Sequence, residues 1–182
     1  FMKKHRQLLA LLICLVMSVS LLTGYSETKA ATEEPTQSAE QETVETREIT
    51  DMAGRKVTVP AVENIESVFS AGPVAAIFLY MVAPDKLLGW NYELNDVEKS
   101  IILDKYQDLP NFGMGDAVNY EAVIAANPTI AINSGKINDA MVSDCDALSE
   151  SLGIPVVAVD NELNNSAEAF RFMGELLGVE DH

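Results

Sequence analysis

Tyr120-Glu121-Ala122-Val123-Ile124-Ala125-Ala126-Asn127-Pro128-Thr129-Ile130-Ala131-Ile132-Asn133 is the stretch on which the fold turns. Its first seven residues read as a helix, Asn127-Pro128 stops it, and Thr129 to Asn133 reads as an apolar strand. The same alternation recurs on both sides. Strands are expected at Ile65 to Ser70, Lys86 to Trp90 and Ile154 to Asp160. Helices are expected at Pro73 to Val82, Asp96 to Tyr106, Ile137 to Leu152 and Ser166 to Leu177. The last opens with Asn165 and Glu168 at capping-box spacing, and Gly153 and Gly178 follow the ends of the last two. Strands separated by helices at this spacing predict an α/β lobe with a parallel sheet flanked by helices on both faces. Upstream, Arg47 to Thr50 and Lys56 to Val59 flank Asp51-Met52-Ala53-Gly54-Arg55 and read as a β-hairpin preceding that sheet.

Outside this body the sequence changes character. Lys3, Lys4, His5 and Arg6 precede Leu8 to Leu22, an almost unbroken apolar run of 15 residues. A basic start followed by an apolar run shorter than a membrane span predicts an export signal over residues 1–30. An uncleaved run would instead serve as a membrane anchor. Leu21-Leu22-Thr23-Gly24 is laid out like a bacterial lipobox, but Tyr25 stands where the acylated Cys would be. Cleavage after Ala30 is the expected fallback. Residues 31–48 contain six acids, one base and a single large aliphatic side chain, Val44. That composition predicts an acidic disordered linker, because so little apolar surface cannot offset the entropy of ordering it.

The whole chain has 182 residues, with 12 Lys+Arg against 28 Asp+Glu and a net charge of −16. An acid excess of this size argues against nucleic acid, whose phosphates need clustered Lys and Arg, and against anionic membrane surfaces. The two histidines, His5 and His182, lie at the ends of the chain. With Cys14 in the signal, Cys145 is left as the mature thiol, so no internal disulfide is expected. No G-x-S-x-G elbow, Walker loop or G-x-G-x-x-G after a strand occurs, and Asp144 and Asp146 lie two apart on a helix, pointing away from each other. No enzyme is expected.

Ligands of parallel α/β sheets approach beyond the carboxyl ends of the strands. That rule selects Gly72 and Pro73 after the first strand, Trp90, Asn91 and Tyr92 after the second, Asn133 and Ser134 after the third, and Asp160 after the fourth. Met114 and Gly115 join them from the loop Phe112-Gly113-Met114-Gly115-Asp116. Trp90, the only Trp, reads equally well as a core residue, and the loop glycines as turn formers.

These stretches resemble a known family in their order. Ile49-Thr50-Asp51-Met52-Ala53-Gly54-Arg55-Lys56-Val57-Thr58-Val59-Pro60 is similar to the opening hairpin of the periplasmic-binding-protein family of iron-siderophore, haem and cobalamin ABC importers. Leu79 to Trp90 resembles its passage from first helix to second strand, and Gly113 to Ile132 its glycine loop, helix and Pro-Asp strand, with Thr129 in place of the Asp. The resemblance covers residues 47–182. It implies a three-layer α/β/α, helical-backbone binding protein with two lobes, of which residues 49–182 are expected to be the N-terminal one and the C-terminal one missing. It further implies capture of a chelated iron complex, siderophore or haem, in the interlobe cleft, and delivery to an ABC permease and its ATPase. Cobalamin or another cargo on the same fold is the alternative, followed by an exported α/β enzyme or sensor domain. The protein is expected to be exported, periplasmic or extracellular, surface-associated if lipidated, monomeric, and without a resident cofactor. The family's permease-docking acid lies in the first helix, where Pro73 to Ile77 has none, leaving Glu63 or Glu66 as substitutes.

Overall fold

The computed structural model describes residues 44–180. The export signal, most of the acidic linker and His182 lie outside them. The chain folds as a hairpin, β1 (Thr46–Thr50) and β2 (Lys56–Pro60), followed by a parallel sheet of β3 (Val68–Ser70), β4 (Ile130–Gly135) and β5 (Val156–Asp160). Six helices accompany it: α1 (Pro73–Val82), α2 (Asp96–Lys99), α3 (Asp104–Gln107), α4 (Tyr120–Ala125), α5 (Asp139–Leu152) and α6 (Ser166–Leu177).

The strands are apolar on both faces because both faces are covered. Val68, Ile130, Ile132, Val157 and Val159 pack toward α1 and α6, with Leu79, Ala169 and Met173 among their partners. Phe69, Ala131, Val156 and Ala158 alternate to the other side and meet Val123 of α4 and Met141, Cys145 and Leu152 of α5. This is the three-layer α/β/α arrangement expected from the sequence.

The hairpin does more than precede the sheet. Strand β5 lies at the end of the order β3-β4-β5, so its outer backbone groups have no strand partner. The hairpin turn supplies one. Ala158 N–H donates to Asp51 Oδ2 at 3.1 Å, Met52 N–H donates to Ala158 O at 3.2 Å, and the Arg55 guanidinium donates to Val156 O at 3.3 Å. An open sheet edge is thereby capped by a turn. At the hairpin's other end Arg47 donates to Leu176 O at 2.7 Å, satisfying a carbonyl in the last turn of α6.

Four expectations need correction. Strand β1 begins at Thr46, so residues 46–48 belong to the fold rather than to the linker. Lys86 to Trp90 is not a strand: Leu87 makes one parallel bridge to Val68, and Trp90 then pairs with Asn111 instead. The switch works because Gly89 passes against the Pro110 carbonyl and the Phe112 ring, space that any Cβ would fill. Asp96 to Tyr106 is two short helices, α2 and α3. Ser100 Oγ bonds back to Val97 O at 2.6 Å, Gln107 takes the Lys99 and Ile102 carbonyls, and Tyr80 OH receives the Leu103 N–H, so the broken helix has satisfied ends. Finally, Asn165 does not cap α6. A 3₁₀ turn at Leu163–Asn165 runs into that helix, and the Asn165 amide donates to Asp160 Oδ2 at 2.6 Å. The true capping box is Asn95 with Glu98 at the start of α2.

Candidate functional site

The site follows from the order of the strands. Leu87 bridges to one side of β3 while β4 pairs on the other, and α1 leaves β3 toward one face whereas α5 leaves β4 toward the opposite face. Two chain segments departing in opposite directions open a crevice at the carboxyl ends of β3 and β4, the switch point of such sheets. The last rung below it is Ala71 N–H to Ile132 O at 2.9 Å.

The glycine loop forms one bank of this crevice, and a buried amide holds it there. Asn91, only 2% exposed, donates from Nδ2 to Ser70 O at 2.9 Å and to Gly113 O at 3.2 Å, while its Oδ1 accepts from Ser70 Oγ at 3.3 Å. Phe112 adds an edge-on contact with Phe69, ring centroids 5.8 Å apart. The loop tightens into a 3₁₀ turn at Gly115–Ala117, and Asn119 then caps α4 by accepting the Ala122 N–H at 3.0 Å. Helix α5 is the opposite bank. Between them lies a cleft of about 480 Å³, with Phe69, Asn133, Asp116 and Tyr120 meeting Asp144 and Leu148 across it.

Of the residues selected from sequence, Gly115 and Asn133 line this cleft. Met114 is half exposed beside Gly115, and Gly72 and Pro73 are partly buried where α1 departs. Ser134, partly buried at the end of β4, has a hydroxyl shielded from solvent with no protein partner. The others lie outside this cleft. Trp90 is 2% exposed in the core, with its indole N–H donating to Tyr106 O at 2.7 Å, so it offers no flat face to a ligand. Asn91 is the internal tie just described. Tyr92 donates to Glu98 Oε1 at 2.9 Å beside a separate pocket of about 260 Å³, and burial, then that carboxylate, pushes its phenol upward. Asp160 shapes the turn after β5 by accepting the Glu162 N–H at 2.8 Å and the Asn165 amide. Asp116, Tyr120, Asp144 and Leu148 were missed. Asp116 and Tyr120 sit in or beside the glycine loop and were within reach of a reader; Asp144 and Leu148 look like any solvated helix face until α5 is placed.

Cys145 lies behind the cleft, fully buried, with Asn133 Nδ2 and Met141 Sδ each 3.7 Å from its sulfur. Burial pushes its thiol upward and keeps it protonated. Native protein should therefore leave Cys145 unalkylated by iodoacetamide at pH 8 over the time that denatured protein reacts completely, as mapped by peptide mass spectrometry. Comparable labelling in both states would show that α5 opens readily.

Among the described residues no three His, Cys, Asp or Glu side chains converge as a metal site, and no helix is long and apolar enough to cross a membrane. The charged groups of the cleft are Asp116 and Asp144. What the arrangement can do is hold a ligand between an apolar wall, an amide and two carboxylates.

No protein-family profile matches the chain, and no curated protein does. Solved structures do. An ABC transporter solute-binding protein from Sulfurospirillum deleyianum superposes with a TM-score of 0.62 at 22% identity, over 74% of this chain and 43% of its own. The TroA-like periplasmic binding protein FepB from Veillonella parvula gives 0.54 at 25% identity, over 74% and 43%. Staphylococcus aureus SirA complexed with staphyloferrin B gives 0.54 at 20%, also over 74% and 43%. The chain thus has the fold of periplasmic binding-protein lobes and spans less than half the length of these neighbours.

Proposed function

We propose that the chain is the extracytoplasmic substrate-binding part of an ABC importer and that its switch-point cleft is one wall of the cargo site. A crevice of about 480 Å³ between the glycine loop and α5, reaching Ala71 just beyond β3 and Asn133 on β4, in a fold shared with transporter binding proteins, is the observation that carries this reading. The cargo is a chelated iron complex, a siderophore or haem, and the contacts come from Gly72, Pro73, Met114, Gly115, Asn133 and Ser134, joined by Asp116 and Tyr120. Residues 49–182 act as the N-terminal lobe, with the second wall contributed by a second lobe. Delivery is to the permease and its ATPase, with Glu63 and Glu66, both exposed ahead of β3, as the candidate docking acids.

Isothermal titration with ferric siderophores, haem and cobalamin tests the assignment. One wall alone is expected to bind weakly or undetectably; in protein carrying both lobes, saturable binding is expected for at least one iron chelate, weakened roughly tenfold by Tyr120→Ala or Asn133→Ala. Cobalamin binding with no response to any iron chelate would overturn the cargo, and no binding at all would overturn the site.

A further inference from the structure

The charges around the cleft are one-sided. Asp116 on the glycine-loop bank and Asp144 on α5 face the same space, and among the described residues neither has a Lys or Arg within ion-pair distance. No cation follows β3, where the chain reads Ala71-Gly72-Pro73. Helix α4 adds Glu121 and the start of α5 adds Asp139. Lys136, which follows β4, is drawn toward Glu162 at 3.6 Å.

We propose that this wall selects cargo by charge, accepting neutral or cationic ferric chelates and rejecting polyanionic ones. The inference rests on the reading of the cleft as a cargo wall and adds the class of chelate to it. A trianionic complex would bring three negative charges toward two exposed, unpaired carboxylates, where like charges oppose binding to an extent that salt screens. A chelate whose coordination leaves no net charge meets no such opposition. One that carries a protonated amine is attracted. The apolar part of the wall, Phe69 and Leu148, suits the organic shell of either.

Equilibrium dialysis with radiolabelled iron in three complexes gives the test: a cationic ferric trihydroxamate bearing an amine, a neutral ferric trihydroxamate, and a trianionic ferric tris-catecholate. Protein carrying both lobes should bind the cationic complex at least about tenfold more tightly than the trianionic one, with the neutral complex between them. That ratio should shrink between 50 mM and 500 mM salt. Asp116→Asn/Asp144→Asn should collapse it to about twofold, while the urea midpoint changes little, since both side chains are exposed and unpaired. Tighter binding of the trianion by the unmodified protein, or a ratio unmoved by the double substitution, would overturn charge selection while leaving iron-chelate binding intact. Failure of all three to bind would overturn the cargo-wall reading itself and charge selection with it.

Discussion

Asp51→Ala should cost about 3–5 kcal/mol of folding stability, the largest loss expected from any single side chain outside the aliphatic core. Asp51 is an acidic residue with a fully buried side chain, tolerated because three backbone N–H groups and a neighbouring guanidinium surround its carboxylate. Oδ1 accepts the Ala53 N–H at 3.1 Å and the Arg55 N–H at 2.9 Å, Oδ2 accepts the Ala158 N–H at 3.1 Å, and the Arg55 guanidinium stands 3.3 Å away. Truncation leaves three backbone donors without a partner and removes the buried one of the two carboxylates beside Arg55, leaving only the exposed Asp146 at 3.2 Å. Asp51→Asn should be nearly as harmful, because either amide orientation sets an N–H against another N–H. Lys56→Ala, which breaks the exposed pair with Glu48, should fall within about 0.5 kcal/mol of the parent. Urea unfolding followed by circular dichroism measures all three. Since Asp51 also covers the free edge of β5, its loss should promote concentration-dependent self-association, visible by light scattering. A cost below about 1 kcal/mol for Asp51→Ala would mean that the hairpin is an appendage and not the cap of the sheet.

This anchor shows what a sequence reading reaches and what it does not. Asp51 was legible as a turn residue, since an acid four residues before Arg55 and three before a glycine suits a tight hairpin. That its other carboxylate oxygen closes the edge of β5 was not legible, because Ala158 lies 107 positions away. The same division runs through the fold. Helix α4, the Asn127-Pro128 stop and β4 were readable because propensity, punctuation and hydrophobic run agree locally. The passage from Lys86 to Trp90 looked like a strand for equally local reasons, yet it makes a single bridge to β3, at Leu87, with the Leu88 N–H donating to Val68 O at 3.1 Å. Its remaining backbone groups find Pro110 and Phe112 instead, a choice made by packing across some 20 residues.

The site divides similarly. Strand order is a tertiary property, so the rule that ligands sit beyond carboxyl ends nominated four loops without saying which two flank the switch. Asn133 and Gly115 came from the right loops. Trp90 and Asn91 came from a loop that turns inward, where an indole and an amide are as useful for holding the core as they would be for holding a ligand. The acids of α5 carried no signal at all: Asp144 differs from Asp146 only in which side of the helix meets the glycine loop, and Asp146 is occupied by Arg55 at 3.2 Å.

Gly113→Ala should be the most damaging change in the glycine loop, at about 2–4 kcal/mol, and should abolish high-affinity binding at the cleft. Two independent effects combine. The backbone at Gly113 has φ +80°, which costs an L-residue roughly 1–2 kcal/mol. An added Cβ would also overlap the Ala117 carbonyl oxygen and come within 2.9 Å of its carbon, and backbone atoms inside a 3₁₀ turn cannot step aside as a side-chain tip can. The loop must then shift, pulling Gly113 O from the Asn91 amide and moving Gly115 and Asp116 off the bank they form. Gly115→Ala separates the two effects. Its φ is also positive, at +55°, but no atom lies within 4 Å of the added Cβ, so it should cost only about 1 kcal/mol. Denaturant midpoints for the pair, with hydrogen exchange at the Ala117 and Asn119 amides, give the comparison. Equal costs would mean that backbone strain alone governs the loop and that its fit against Ala117 contributes nothing. A large excess for Gly113→Ala, with faster exchange confined to residues 113–119, would show that the bank of the cleft is held by close packing around one glycine and one buried asparagine.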